Sequence, residues 1–238
     1  MNTQTTALAT ALVLFSGGQD SCTCLAYALE QYDHVETIGF IYGQTHHVEI
    51  QTRTVFLQNY RQQFPEQAAR LGDDHVLDIS GFADISHSAL TGAVATARRQ
   101  DGLPDTYVPG RNLIFLIAAA ALADRRGADV LVGGMCETDY SGYPDCRRNA
   151  MDAMETSIQL GMGLDIVIDT PLMQLTKAET WGMAMELGGH KLVDLIVSDS
   201  HTCYAGDRTQ LAAWGYGCGV CEACTLRAKG FAVWQASL

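Results

Sequence analysis

Basic residues are scarce. The 238-residue chain has 15 lysines and arginines against 27 aspartates and glutamates, a formal net charge of −12. No basic run exceeds the pairs Arg98-Arg99, Arg125-Arg126 and Arg147-Arg148. Such a surface repels phosphate backbones, so direct nucleic-acid binding is not expected. A small anionic substrate stays compatible if cations and helix N-termini offset the field. Long apolar runs are also missing. The longest, LIFLIAAAALA at 113–123, is too short to span a bilayer and reads as a buried helix. MNTQTTALAT at the N-terminus has no basic stretch before its apolar residues, so a secretory signal is not expected. Internal repeats and low-complexity linkers are absent as well. With 47% hydrophobic and 18% charged residues, a sizeable core is expected rather than disorder. Eight cysteines in such a chain read as thiols of a reducing cytoplasm, part of them metallated.

What is present alternates between strand and helix. Strands are expected at 11–15, 35–42, 75–79, 129–134 and 165–171. Helices are expected at 21–31, 46–63, 112–126, 146–161 and 176–187, with another ending near Trp234. Residues 80–110 read as a long functional loop. Short continuous apolar strands between helices predict an α/β fold built on a doubly wound, mainly parallel sheet. Residues 198–238 break the pattern. The expected division is a nucleotide-binding α/β unit at 1–197 and a metal-binding segment at 198–238 packed on it.

The chemistry concentrates in six stretches. SGGQDS (16–21) follows the first strand and opens a helix. Two glycines let backbone N–H groups approach a ligand, and the helix dipole favours an anion there, so the stretch reads as a phosphate cradle. The Walker A lysine and the GxGxxG pattern are both missing. Asp20 adds negative charge to the cradle, which makes sense if Mg²⁺ bridges it to phosphates. Cys218, Cys221 and Cys224 stand three positions apart and supply most of a tetrahedral metal site. Cys203 is the expected fourth ligand of a structural zinc, with His201 the alternative. An iron–sulfur centre and a redox pair are rival uses of the same thiols. YVPGRN (107–112) offers Arg111 as a planar fork, and Asn112 as a helix cap. DYSGYPDCRR (139–148) puts aromatic faces and carboxylates at the ligand-binding edge of the sheet. In YGQTHHVE (42–49), Gln44, His46 and Glu49 follow the second strand. In TPLMQLTKAE (170–179), Thr176 and Glu179 read as a capping box, with Lys177 able to reach a phosphate.

Together these stretches, ending in CGVCEACTLRAKGF (218–231), resemble the 7-cyano-7-deazaguanine synthase family of the PP-loop ATP pyrophosphatases. The resemblance covers Phe15 to Phe231. It implies an ATP-dependent carbon–nitrogen ligase that joins 7-carboxy-7-deazaguanine and ammonia through adenylated carboxylate and amide intermediates. It also implies a cytoplasmic homodimer with one zinc per chain and Mg²⁺ with the ATP. Carried over by position, Phe15, Ser16, Gly17, Gly18, Gln19, Asp20, Ser21, Cys22, Thr23, Cys24 and Leu25 would bind ATP. Tyr107, Gly110, Arg111, Asn112, Asp139, Tyr140, Tyr143, Asp145 and Arg147 would bind the deazaguanine. Asp20 and Lys177 would be catalytic, and Cys203, Cys218, Cys221 and Cys224 would hold zinc. The stretch RTQLAAWGY (208–216) departs from the family pattern as an apparent insertion, and Cys136 stands where no thiol is expected.

Overall fold

The computed structural model describes residues 9–44, 48–85, 88, 90, 103–138 and 142–238. Five parallel strands form its main sheet in the order β3-β2-β1-β4-β5. They are β1 (Thr10–Leu14), β2 (His34–Ile41), β3 (Leu71–Asp78), β4 (Val130–Val132) and β5 (Val167–Asp169). The chain winds outward from β1 to β3, then returns to the other side of β1 for β4 and β5. The switch point therefore lies between β1 and β4, where open α/β sheets place ligands. The expected doubly wound sheet is present.

Side-chain alternation along β1 divides the core. Ala11 and Val13 face one cluster, shared with α1 (Gln19–Gln31), α2 (Val48–Gln63), α6 (Lys177–Asp199) and α7 (Glu222–Gln235). Leu12 faces the other, shared with α4 (Arg111–Arg126) and α5 (Arg148–Met162). A short α3 (Pro65–Ala68) leads into β3, which starts four residues before the expected strand. LGDDHVLD lacks an apolar pattern because β3 is an edge strand, mostly solvent-exposed, where charge blocks unwanted pairing.

Beyond the expected end at Leu187, α6 continues to Asp199. Gly189 breaks it, at φ 63° and ψ −164°, a conformation essentially reserved for glycine. The second half buries Leu192, Val193, Leu195 and Ile196. Trp181 of the first half meets Phe231 and Trp234 of α7 at ring separations of 5.0 and 6.2 Å. These rings belong to the same cluster as β1, so one core runs beneath the C-terminal segment. Residues of the apparent insertion form a small hairpin, β6 (Leu211–Ala212) with β7 (Gly215–Tyr216). Arg208 before it donates to the carbonyls of Ser198 and Ser200 and so caps the end of α6.

Candidate active site and metal centre

Ser16 to Ser21 make the turn from β1 into α1. Gly17 has φ +84°, and a Cβ there would come within 2.9 Å of Arg53 Cγ. Both facts require glycine. The turn is shaped by its own hydroxyls. Ser21 Oγ accepts from the Gly17 N–H and donates to the Gly18 carbonyl, each at 3.0 Å. Ser16 Oγ accepts from the Gly18 N–H at 3.2 Å. Gly18 stands at the N-cap of α1 and offers no side chain to the first-turn N–H groups. Behind the turn, the His201 N–H donates to the Gly17 carbonyl at 2.9 Å.

Lys177 opens α6, and its Nζ donates to both carboxylate oxygens of Asp20 at 3.0 and 2.8 Å. The two residues expected to be catalytic thus form one ion pair. The expected capping box orients the lysine: Thr176 Oγ1 accepts from the Glu179 N–H, and Glu179 accepts from the Thr176 N–H. Glycines make the room. A Cβ on Gly134, just past β4, would lie 3.2 Å from Asp20 Cβ. A Cβ on Gly230 of α7 would lie 2.7 Å from Lys177 Cβ and Cγ. Gly230→Ala is therefore expected to push Lys177 away from Asp20 and to destabilise the fold by about 1–3 kcal/mol. Urea denaturation and nucleotide titration check this; wild-type values in both would refute it.

A cavity of about 690 Å³ runs from this ion pair towards α4. That volume suits a nucleotide-sized ligand. Phe15, Ser16, Gly18, Gln19, Asp20 and Ser21 line one side; Tyr42, Gln44, Glu49 and Arg53 line a second; Arg111, Asn112, Phe115, Tyr143 and Cys146 line a third. Several lining groups lack partners among the described residues. The Gln19 side chain is buried with neither its oxygen nor its nitrogen bonded. Arg111 Nε is buried without an acceptor, while its Nη1 reaches the Tyr42 hydroxyl at 3.5 Å and its Cζ sits 5.6 Å from that ring's centre. Buried polar atoms are nearly always satisfied, so a wall of unmet ones points to a ligand.

Cys203, Cys218, Cys221 and Cys224 bring their sulfurs within 4.8 Å of one another. A tetrahedral ion with metal–sulfur bonds of about 2.3 Å sets neighbouring sulfurs about 3.8 Å apart. The 4.0 Å between Cys221 Sγ and Cys203 Sγ fits that spacing. So does the polarity around them. Backbone N–H groups of Cys218, Cys221 and Cys224 donate to the sulfurs of Cys203, Cys218 and Cys221 at 3.4–3.5 Å, which favours thiolates. His201 is not in this group; its Nε2 lies 3.1 Å from the Cys203 carbonyl oxygen. Thr202 ties the centre to the glycine turn. Its Oγ1 accepts from the Gln19 N–H at 3.5 Å and from Arg227 Nη1 at 3.0 Å.

Residues 10–235 match the family described as "Queuosine biosynthesis protein QueC". The chain belongs to the QueC family. Over 95% of its length it is 61% identical to the 7-cyano-7-deazaguanine synthase of Caulobacter sp. (strain K31), covering 91% of that relative. It is 58% identical to the enzyme of the same name from Maricaulis maris, over 96% of the chain and 94% of the relative. The structure of a 4-thiouridine synthetase–RNA complex with bound ATP superimposes with a TM-score of 0.50 at 15% identity, covering 96% of this chain and 53% of that one. That likeness concerns the fold alone.

In this QueC-family chain the remaining expected residues fall in distinct places. Cys22, Thr23, Cys24 and Leu25 are fully buried in α1, so only their backbone and the packing behind the turn serve the cavity. Burial raises both thiols well above their usual range, which makes them inert packing groups. Gly110, at φ +77°, is the N-cap of α4. Asn112, expected as the cap, instead sits inside the helix, and its N–H is taken by Asp145 Oδ2 at 3.2 Å. The Asp145 carboxylate, expected to face substrate, is buried and caps α4 from the neighbouring loop. Tyr107 packs on Tyr143 with ring centres 5.4 Å apart. Arg147 is exposed at the start of α5. Asp139, Tyr140 and His46 lie outside the described residues. Cys136 lines the cavity and donates to the Leu175 carbonyl at 3.1 Å.

Two cavity residues escaped the sequence reading. Arg53 is buried, pairs with Asp74, and lies 5.4 Å from the Phe15 ring centre. Gly39 of β2 makes its bed: a Cβ there would fall 1.1 Å from Arg53 Nη1. Arg227 is buried against Trp181, and burial lowers its guanidinium to about 10. Glycines facing arginines were the available signal, but only the fold brings them together.

Proposed function

We propose that this chain uses ATP to convert 7-carboxy-7-deazaguanine and ammonia into 7-cyano-7-deazaguanine in queuosine biosynthesis. One observation carries the reading. A single cavity joins the SGGQDS turn to Arg111 and Tyr143, with the Asp20–Lys177 pair on its wall. A carboxylate oxygen is a poor leaving group. Attack by that oxygen on the α-phosphorus of ATP expels pyrophosphate and makes AMP the leaving group instead. Ammonia then displaces AMP to give the amide. A second adenylation, at the amide oxygen, lets AMP depart again and leaves the nitrile.

The chain's own groups divide the work. In this reading the first-turn N–H groups of α1, with Ser16, Gly17, Gly18 and Ser21, grip the β- and γ-phosphates, and Phe15 and Gln19 bound the nucleotide. Lys177 neutralises charge as pyrophosphate leaves. Asp20, about one-third exposed beside Lys177, is the carboxylate that would hold Mg²⁺, which supplies charge neutralisation on the phosphates when bound. Arg111 clamps the substrate carboxylate, with Tyr143 as a flat face for the heterocycle and Tyr107 bracing it. Asp139 and Tyr140 are further expected contacts of the deazaguanine. Asp145, Asn112 and Gly110 serve by fixing the start of α4. One structural zinc per chain fits the four thiols, since a closed thiolate set leaves no open position. We take the enzyme to be a cytoplasmic homodimer. The exposed side chains of Leu160, Met162 and Val167, close in sequence around the end of α5 and β5, support a protein contact.

Mass spectrometry of the protein with ATP, ammonia and 7-carboxy-7-deazaguanine tests the proposal. The expected result is nitrile, with amide as an intermediate and AMP released in both halves. ATP left intact and no nitrile formed would reject it.

A further inference from the structure

Passing from acid to nitrile sheds protons from nitrogen, and Asp20 and Lys177 are committed to each other. Glu49 is a second carboxylate on the cavity wall, half-buried in the first turn of α2. Gln44 fixes the backbone ahead of it. Its Oε1 accepts from the Tyr42 N–H at 2.8 Å, and its Nε2 donates to the Phe40 carbonyl at 3.2 Å. The groups that face Glu49 are Arg111 from α4, Arg53 one turn along α2, and Tyr42 just past β2. Arg111 acts on the carboxylate, yet no direct ion pair joins them. The arginine turns Nη1 to Tyr42 and keeps a buried Nε without an acceptor among the described residues. A donor fork and a carboxylate thus line one cavity. A substrate carboxylate held by Arg111 would lie in the cavity that Glu49 also lines.

We infer that Glu49 is the general base that removes protons from nitrogen, an inference that rests on the activity proposed above. In the first half, the nitrogen lone pair of ammonia forms the C–N bond to the acyl adenylate. The C–O bond breaks, its electron pair leaves with AMP, and an N–H proton passes to Glu49. In the second half, the amide oxygen displaces pyrophosphate from the second ATP as nitrogen gives up one proton to Glu49, which passes each proton it takes to solvent water before the next step. The imidate then loses its remaining N–H proton to Glu49 while the C–O bond breaks, yielding C≡N and AMP. No oxidant or reductant is needed. Enclosure in the cavity wall raises the Glu49 carboxyl to about 7, against the pull of Arg111 and Arg53, which suits proton transfer near neutrality.

Glu49→Gln keeps the side-chain shape and removes the base. Pyrophosphate release from ATP with the acid alone is expected at close to the parent rate. Amide and nitrile formation from ammonia should fall by about 10²–10⁴-fold. Hydroxylamine, a nucleophile already unprotonated near neutrality, should still trap the adenylate as hydroxamate. In the parent, kcat/KM per unprotonated ammonia should rise with pH through about 7, because the carboxylate must be ionised to act. That limb should vanish in Glu49→Gln and return in part in Glu49→Asp. Equal loss of pyrophosphate release and amide formation would make Glu49 a positioning residue for Arg111 and overturn the inference. An unchanged nitrile rate, or a retained pH limb, would overturn it too. A parent protein that makes no nitrile would instead strike at the proposed activity itself.

Discussion

Asp20→Asn is expected to abolish adenylation, lowering pyrophosphate release by about three orders of magnitude or more. The substitution keeps the size and one hydrogen bond to Lys177 but removes the negative charge. In the proposed mechanism Lys177 is then left without its counter-ion beside the phosphates, and the carboxylate that would hold Mg²⁺ is gone. The fold should tolerate the change. Asp20 is about one-third exposed but Lys177 only 11%, so weakening the pair is expected to cost about 1–3 kcal/mol, short of unfolding the domain. The measurement is pyrophosphate release with saturating ATP and acid, alongside urea denaturation of the same preparation. Near-parental release from a folded Asp20→Asn protein would sink the role given to the pair.

Loss of metal is expected to have the largest effect on stability. Structural zinc contributes roughly 10–16 kcal/mol of apparent binding energy in small zinc modules. Cys221 allows that contribution to be isolated. Its sulfur is in the thiol cluster and also accepts from the Cys224 N–H as the N-cap of α7. Serine is a good N-cap but a poor zinc ligand, so Cys221→Ser removes the thiolate and keeps the cap. Expected outcomes are zinc content well below one per chain and a melting temperature lowered by ten degrees or so. ATP affinity should weaken in step, because Thr202 links Cys203 to Gln19 of the glycine turn. Full zinc occupancy with an unchanged melting curve would remove the metal from the account.

Local patterns were readable where one stretch of chain decides the outcome. SGGQDS needs only a strand before it and a helix after it. The box of Thr176 and Glu179 lies within one helical turn. The thiol spacing of 218–224 puts three candidate ligands into one short segment, and the fold adds Cys203. Pairings distant in sequence were less legible. The loop makes Asp145 an expected substrate ligand; its bond to the Asn112 N–H at the start of α4 is a tertiary contact that the sequence does not display. The early residues of β3 carry no alternation, since an edge strand buries little on either side. The second half of α6 lies beyond the expected 176–187 because two glycines, Gly188 and Gly189, interrupt the helical pattern. The chain bends there and resumes, with apolar residues at 192, 193, 195 and 196. Arg53 gave no local sign at all; its place depends on a missing side chain in a neighbouring strand.

The bend at Gly189 has a geometric consequence. A straight helix of 23 residues would be about 34 Å long. The two ends of α6 nevertheless meet the same six-residue turn: Lys177 at Asp20, and the chain just past Ser200 at Gly17. The element works as a caliper, hinged at a glycine and closed on the bend it measures. Its jaws are set by residue count on each arm. One residue added to either arm would swing that jaw by about 100°, so length here should be harder to vary than composition.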